Sequence, residues 1–170
     1  MELLKTEQSP RAIIDRMGAS NRRILLFGEP GSGKSTLANR LAAELWRTGR
    51  VCTCIGADPG TPLFGIPGAV CMGEWRTGAW KSMAVEGLCS LDAARFRLPL
   101  TEAVRRFASR ASRGTLLIDS PGVVRGVAGA ELLLSLVRAA GADAILCVTH
   151  HVDTLPLGEE LMATGLEILV

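Results

Sequence analysis

Apolar positions in this chain alternate between short continuous runs and stretches with helical spacing. Ile24-Leu25-Leu26-Phe27 is a four-residue apolar run that predicts a buried strand. From Leu37 to Arg47 the apolar residues recur at helical intervals, with Leu37, Leu41 and Leu45 on one face. Thr48-Gly49-Arg50 predicts a turn, and Val51 to Ala57 a second strand that ends at Asp58-Pro59-Gly60. Residues 59–80 are rich in Gly and Pro, and the apolar runs at Ala69–Met72 and Met83–Leu88 are further strand candidates. Pro99 to Arg110 predicts a helix with Val104, Phe107 and Ala108 facing inward, followed by a buried strand from Thr115 to Asp119. An amphipathic helix over Gly129–Ala140, a buried strand over Ala144–Thr149 and a short helix over Leu157–Ala163 come next. Leu166 to Val170 begins a last strand. Residues 1–20 form a helical preface: Ser9-Pro10 starts a helix, Ala12, Ile13, Ile14 and Met17 can pack onto the sheet, and Gly18 ends it. Strands that alternate with helices specify an α/β fold, a mainly parallel sheet covered by helices on both faces. The expected organisation is a single domain over residues 1–170, with the Val51–Ala57 strand beside the Ile24–Phe27 strand.

Between the first strand and its helix lies Gly28-Glu29-Pro30-Gly31-Ser32-Gly33-Lys34-Ser35-Thr36. It fits G-x-x-x-x-G-K-[ST] without deviation, and strand, loop, helix is the context that this phosphate-binding P-loop requires. Gly28, Gly31 and Gly33 let the backbone turn tightly and approach an anion where a β-carbon would clash. The amides of Gly31 to Ser35 converge at a helix N-terminus, whose partial positive charge favours phosphate. Lys34 is placed to reach the β- and γ-phosphates, and the Ser35 hydroxyl to bind Mg²⁺. The fold expected is therefore a P-loop NTPase.

Composition adds limits. A chain of 170 residues is long enough for a real core, and 48% hydrophobic with 21% charged residues is ordinary for a soluble globular protein. The net charge of +2 neither demands nor excludes a nucleic-acid partner. Cys52, Cys54, Cys71, Cys89 and Cys147 lack C-x-x-C spacing and, but for Cys89, lie in apolar runs. They read as reduced, mostly buried thiols of a cytoplasmic protein rather than disulfides or a zinc site. No apolar run approaches membrane-spanning length, and Met1-Glu2-Leu3-Leu4-Lys5 lacks a signal-peptide core. The chain stops inside an apolar run, so either the natural polypeptide is expected to continue or this chain is a minimal version of a longer architecture.

Two aspartates fall at predicted carboxyl ends of strands, where open α/β sheets bind ligands. Leu116-Leu117-Ile118-Asp119 is the apolar strand plus Asp of a Walker B, and Asp58 ends the strand after the P-loop helix. An Asp at a strand end is otherwise a turn or helix cap. Beside a P-loop, one carboxylate would organise Mg²⁺ and its waters, and the other would accept a proton from an attacking hydroxyl. Both are metal-shell candidates with Ser35, and Lys34, Asp58 and Asp119 are the catalytic candidates. Asp58 falls on the acceptor side by position, because the Gly/Pro-rich segment after it can wall a cleft, and the family resemblance below carries the rest of that assignment. Asp119-Ser120-Pro121-Gly122 also satisfies the DxxG of a GTPase switch. The run Thr149-His150-His151-Val152-Asp153 does not supply [NT]KxD, so GTP specificity has no support.

Three blocks, in order, resemble the polynucleotide 5′-hydroxyl kinase family, P-loop kinases that phosphorylate RNA 5′ ends. Gly28–Thr36 looks like its P-loop. Asp58-Pro59-Gly60 with Phe64-Gly65-Ile66-Pro67-Gly68 looks like its D-x-G-Q segment and P-P-G turn. Leu117-Ile118-Asp119-Ser120-Pro121-Gly122-Val123-Val124-Arg125-Gly126 looks like its D-T-x-G-x-V-x-G block. The resemblance spans residues 22–150 and implies ATP and Mg²⁺ as cofactors and RNA or another hydroxyl compound as acceptor. Thr61 stands where the family usually has Gln, and Gly56 where a further Asp is common. The family's G-S-T-S-P-x-G-N-like clasp would fall near Gly87-Leu88-Cys89-Ser90-Leu91-Asp92, which hardly matches, and its arginine-bearing lid has no counterpart in sequence after residue 150. The C-terminal part of the family architecture is likewise not matched. Two functions follow: an ATP-dependent kinase acting on a polynucleotide 5′-hydroxyl or related hydroxyl, and a nucleotide-dependent switch or assembly ATPase without a phosphoryl acceptor.

Trp75 and Trp80 can stack on a base, but packing of the loop onto the core is the preferred reading. His150-His151 cannot both face one site on a strand and read as strand-end polar residues. Arg95, Arg97, Arg105, Arg106, Arg110 and Arg113 read as a solvated helix face, with an RNA-contacting surface as the alternative.

Overall fold

The computed structural model describes residues 9–18, 22–149 and 155–170. The His150-His151 pair and the first eight residues lie outside these. In chain order the elements are α1 (Pro10–Met17), β1 (Arg23–Phe27), α2 (Lys34–Arg47), β2 (Cys52–Gly56), β3 (Ala69–Arg76), β4 (Ala79–Gly87), α3 (Arg97–Arg110), β5 (Thr115–Asp119), α4 (Gly126–Ala140), β6 (Ala144–Cys147), α5 (Gly158–Ala163) and β7 (Glu167–Leu169). One seven-stranded sheet runs in the order β4-β3-β2-β5-β1-β6-β7. The pairings β2–β5, β5–β1, β1–β6 and β6–β7 are parallel, and β3 and β4 form an antiparallel edge.

Each central strand is buried on both faces, and its side chains alternate between two apolar layers. Along β1, Ile24 and Leu26 join the cluster that includes Leu41 and Leu45 of α2 and Ile13 and Ile14 of α1. Leu25 and Phe27 join the cluster that includes Val104 and Phe107 of α3 and Leu132 and Leu136 of α4. The sheet is therefore covered by helices on both faces, as the alternating pattern implied. Ser9 caps α1, its hydroxyl accepting from the Ala12 amide at 3.3 Å.

Two details differ from the sequence reading. β2 does not lie beside β1. β5 separates them, with Leu26 and Gly56 both in register with Asp119. Strands buried on both faces carry nearly the same apolar pattern, so the pattern is silent about their order. The candidate strand over Met83–Leu88 begins at Ala79, and with β3 it makes a hairpin in which Trp75 pairs with Trp80. Its two-residue turn is Thr77-Gly78, both with positive φ (50° and 85°), the geometry of a type I′ connection. Among the described residues no helix is long and apolar enough to cross a membrane.

Trp75 and Trp80 pack rather than project. Trp80 stacks on Phe64 with centroids 5.4 Å apart, meets Trp75 edge-on at 5.1 Å, and donates its indole N–H to Asn39 Oδ1 on α2 at 2.7 Å. Three arginines of the basic stretch are ion-paired: Arg97 meets Glu131, Arg105 meets Glu102 and Arg106 meets Glu86. Cys52, Cys54, Cys71 and Cys147 are buried, and burial pushes the Cys52 and Cys147 thiols up to about 12, which keeps them protonated.

Candidate functional site

The P-loop closes as a tight turn between β1 and α2. The Ser32 amide donates to the Glu29 carbonyl at 3.2 Å, and Gly33, with φ of 99°, opens the helix so that the Leu37 amide bonds back to the Gly33 carbonyl at 2.9 Å. Gly28 is required for a different reason. A β-carbon there would lie 2.2 Å from the Val148 carbonyl oxygen, because the loop leaves the sheet against the end of β6. Gly122 answers a third constraint: a β-carbon would stand 2.5 Å from Pro30 Cγ, so the segment after β5 presses directly on the loop.

Lys34 is not extended into solvent. It is 8% exposed, and its ammonium donates to the carbonyls of Gly28 and Glu29, each at 2.9 Å. The charge thus bridges the loop's own backbone. Burial lowers the Lys34 pKa, while the carboxylates of Asp119 and Asp58 act to raise it. All three charges therefore lie in one electrostatic neighbourhood.

Asp119, the last residue of β5, is 1% exposed. Its Oδ2 accepts from the Ser35 hydroxyl at 2.9 Å, which ties the first turn of α2 to the end of β5. Its Oδ1 is buried without a hydrogen-bond partner. Burial pushes the carboxyl up to about 6, against the opposing pull of the Ser35 bond and Lys34. A hydroxyl and a buried carboxylate with one partnerless oxygen are what a hard cation with bound waters would satisfy, so the donor set fits Mg²⁺.

Asp58 stands two residues past β2 and is half-buried. Its Oδ1 accepts from the amides of Gly60 at 2.9 Å and Thr61 at 3.1 Å, and its Oδ2 accepts from the Thr61 hydroxyl at 3.0 Å. The side chain therefore caps its own turn, as Asp often does. It also lines the same opening as the P-loop. A cavity of about 300 Å³ is bounded by Pro30, Gly31, Gly33, Lys34, Ser35, Thr36, Asp58, Thr61 and Ser120. The P-loop and the two strand-end aspartates are brought together at the carboxyl edge of β1, β2 and β5.

The far wall comes from the irregular segment after β2. The Gly68 amide bonds to the Pro59 carbonyl at 2.9 Å, and the amides of Leu88 and Cys89 bond to the Gly68 carbonyl at 2.8 and 3.0 Å. The stretch 87–92, which hardly matches a clasp in sequence, is thereby held against the loop that carries Asp58.

Three features escaped the sequence reading. Thr61 departs from the Gln usual in the resembled family, yet its hydroxyl is fixed on Asp58. Ser120 lines the cavity from a buried position, with its hydroxyl on the Leu26 carbonyl at 2.6 Å. Arg125 reaches Glu29 of the P-loop at 2.7 Å, across a second opening of about 560 Å³. Only Thr61 had a signal, since Asp-Pro-Gly-Thr is a sequence in which Asp and Thr side chains both close turns.

The P-loop model of the mRNA cleavage and polyadenylation factor CLP1 matches residues 28–87, from the first P-loop glycine to the end of β4. The P-loop core resembles that of Clp1. A structure of the wild-type Clp1p–Pcf11p complex superposes with a TM-score of 0.72 at 17% identity, covering 94% of this chain and 46% of that one. A second, describing an extended Pcf11p–Clp1p interface and ATP loss in a point mutant, gives 0.68 at 16% identity, covering 97% and 49%. The chain thus spans about half the length of the Clp1p chains it matches. Among curated proteins none matches. The sequence resemblance to polynucleotide 5′-hydroxyl kinases thus holds at the P-loop core, and the fold is that of a P-loop NTPase.

Proposed function

We propose that this chain is an ATP-binding P-loop kinase that transfers the γ-phosphoryl group to a polynucleotide 5′-hydroxyl or a related hydroxyl. The observation that carries the reading is the single cavity in which Lys34, Ser35 and Asp58 meet the P-loop amides, with Asp119 tied to Ser35 beneath it. When bound, Mg²⁺–ATP supplies the transferable phosphoryl group and the metal's charge. The amides of Gly31 to Ser35 bind the phosphate chain, and Lys34 exchanges the Gly28 and Glu29 carbonyls for phosphate oxygens, where its charge offsets that developing in transfer. Ser35 and Asp119 hold the metal shell. Asp58 accepts the acceptor hydroxyl's proton: a carboxylate offers about four lone-pair sites, and its own turn takes three. Soluble, cytoplasmic operation is part of the same reading.

Transfer of label from γ-labelled ATP to a 5′-hydroxyl oligonucleotide tests this directly. Asp58→Asn is expected to spare ATP binding and abolish transfer, because a carboxamide cannot take the proton. Retained transfer in that variant would remove Asp58 from the mechanism.

The rival reading, a nucleotide-dependent switch or assembly ATPase, is favoured by the turn that occupies Asp58. A carboxylate serving as a cap needs no acceptor. The Clp1p structures are complexes with Pcf11p, so a protein partner belongs to this reading. Release of free phosphate with no labelled oligonucleotide, stimulated by a bound protein, would select it.

A further inference from the structure

Asp58 already meets a hydroxyl of its own chain, that of Thr61. Asp58 Oδ1 is fixed by the Gly60 and Thr61 amides, and this places the Thr61 hydroxyl 3.0 Å from Oδ2. A hydroxyl within hydrogen-bond reach of a carboxylate is the pairing of nucleophile and base. Both groups line the cavity that the P-loop lines. The other hydroxyls with known partners there are engaged differently. Ser35 is directed to Asp119, and Ser120 is buried on the Leu26 carbonyl. Thr61 is exposed at the rim, on a segment whose far end is anchored by Gly68.

From this arrangement we propose that Thr61 is an internal phosphoryl acceptor, a site of self-phosphorylation. The inference rests on the kinase reading of the same cavity. A nucleoside triphosphate is the co-reactant. Thr61 Oγ1 forms a bond to the γ-phosphorus as the bond from that phosphorus to the β–γ bridging oxygen breaks. The Thr61 proton passes to Asp58 Oδ2, and the nucleoside diphosphate leaves. Because Thr61, Asp58 and the P-loop line one cavity of the same chain, transfer is intramolecular and gains from proximity. A phosphate on Thr61 places negative charge against Asp58 and removes the hydrogen bond to its Oδ2, so the modified chain would be a poorer catalyst toward any external hydroxyl.

The test incubates the chain with Mg²⁺ and γ-labelled ATP without an acceptor, then maps label by peptide mass spectrometry. In parallel, nucleotide binding, phosphate release and transfer to the 5′-hydroxyl oligonucleotide are measured. The expected result is acid-stable label on Thr61, formed at a rate independent of protein concentration, lost in Thr61→Val and retained in Thr61→Ser. Alkali-labile label on Asp58 would overturn the proposal, as would label that requires a second molecule. An unlabelled protein that phosphorylates the oligonucleotide refutes self-phosphorylation alone, whereas one that only releases phosphate refutes both self-phosphorylation and the kinase reading in favour of the switch ATPase. A chain that binds ATP but shows no label, release or transfer overturns both this inference and the kinase reading.

Discussion

Ionising Asp119 works against folding when no cation is bound, and the size of this effect follows from its burial. The carboxyl is pushed from 3.8 to about 6 in the folded chain, because desolvation outweighs the Ser35 hydrogen bond and Lys34. A carboxyl whose folded pKa is raised contributes stability below its unfolded pKa and loses it as pH rises through the folded value. At about 1.4 kcal/mol per pH unit, the gap between 3.8 and about 6 amounts to about 3 kcal/mol. Asp119→Asn cannot ionise and keeps an oxygen for the Ser35 hydroxyl. Urea unfolding in chelator therefore shows the wild type losing about 3 kcal/mol relative to Asp119→Asn between about pH 4 and pH 7. With a urea m-value of about 2 kcal/mol/M, the relative midpoint moves by about 1.5 M. Adding Mg²⁺ and nucleotide above about pH 6 should reverse the order, since only the wild type offers an anionic oxygen to the metal shell. Parallel pH profiles for the two proteins would refute the reasoning: Asp119 would then be as well solvated folded as unfolded.

The remaining expectations concern the loop and its supports. Lys34→Ala should abolish nucleotide turnover and also loosen the P-loop, lowering stability by about 3 kcal/mol, because two charge-assisted bonds to Gly28 and Glu29 are lost. Turnover at the wild-type rate would remove Lys34 from the site. Gly28→Ala sets a β-carbon 2.2 Å from a backbone oxygen and should destabilise by about 3 kcal/mol, read as a lowered thermal midpoint. An unchanged midpoint would mean that β6 yields freely. Asn39→Ala removes the Trp80 partner and should destabilise by about 1 kcal/mol without altering nucleotide affinity. Weakened nucleotide binding there would instead make the tryptophan part of the ligand surface.

The P-loop and Asp119 were legible in sequence because their chemistry is local. Nine consecutive residues determine the phosphate cradle, and an apolar run ending in Asp determines a strand-end carboxylate. The helix-covered, mainly parallel sheet was legible for a similar reason, since the hydrophobic period reports each element separately. What joins the elements was not. Only the tertiary structure inserts β5 between β1 and β2, and that insertion brings Asp119 to Ser35 and leaves Asp58 across the same cavity. The Lys34 charge is written in the motif, and only the fold shows that the Gly28 and Glu29 carbonyls lie within reach of its ammonium, since a desolvated charge must find partners. Asp58 shows the same division. Its position at a strand end is written in the chain, but its bond to Thr61 depends on a backbone turn that residue types permit and only packing of the 59–68 segment fixes. Local pattern selects elements and motifs; strand order and side-chain partners are decided by which buried surfaces and polar groups can be satisfied together.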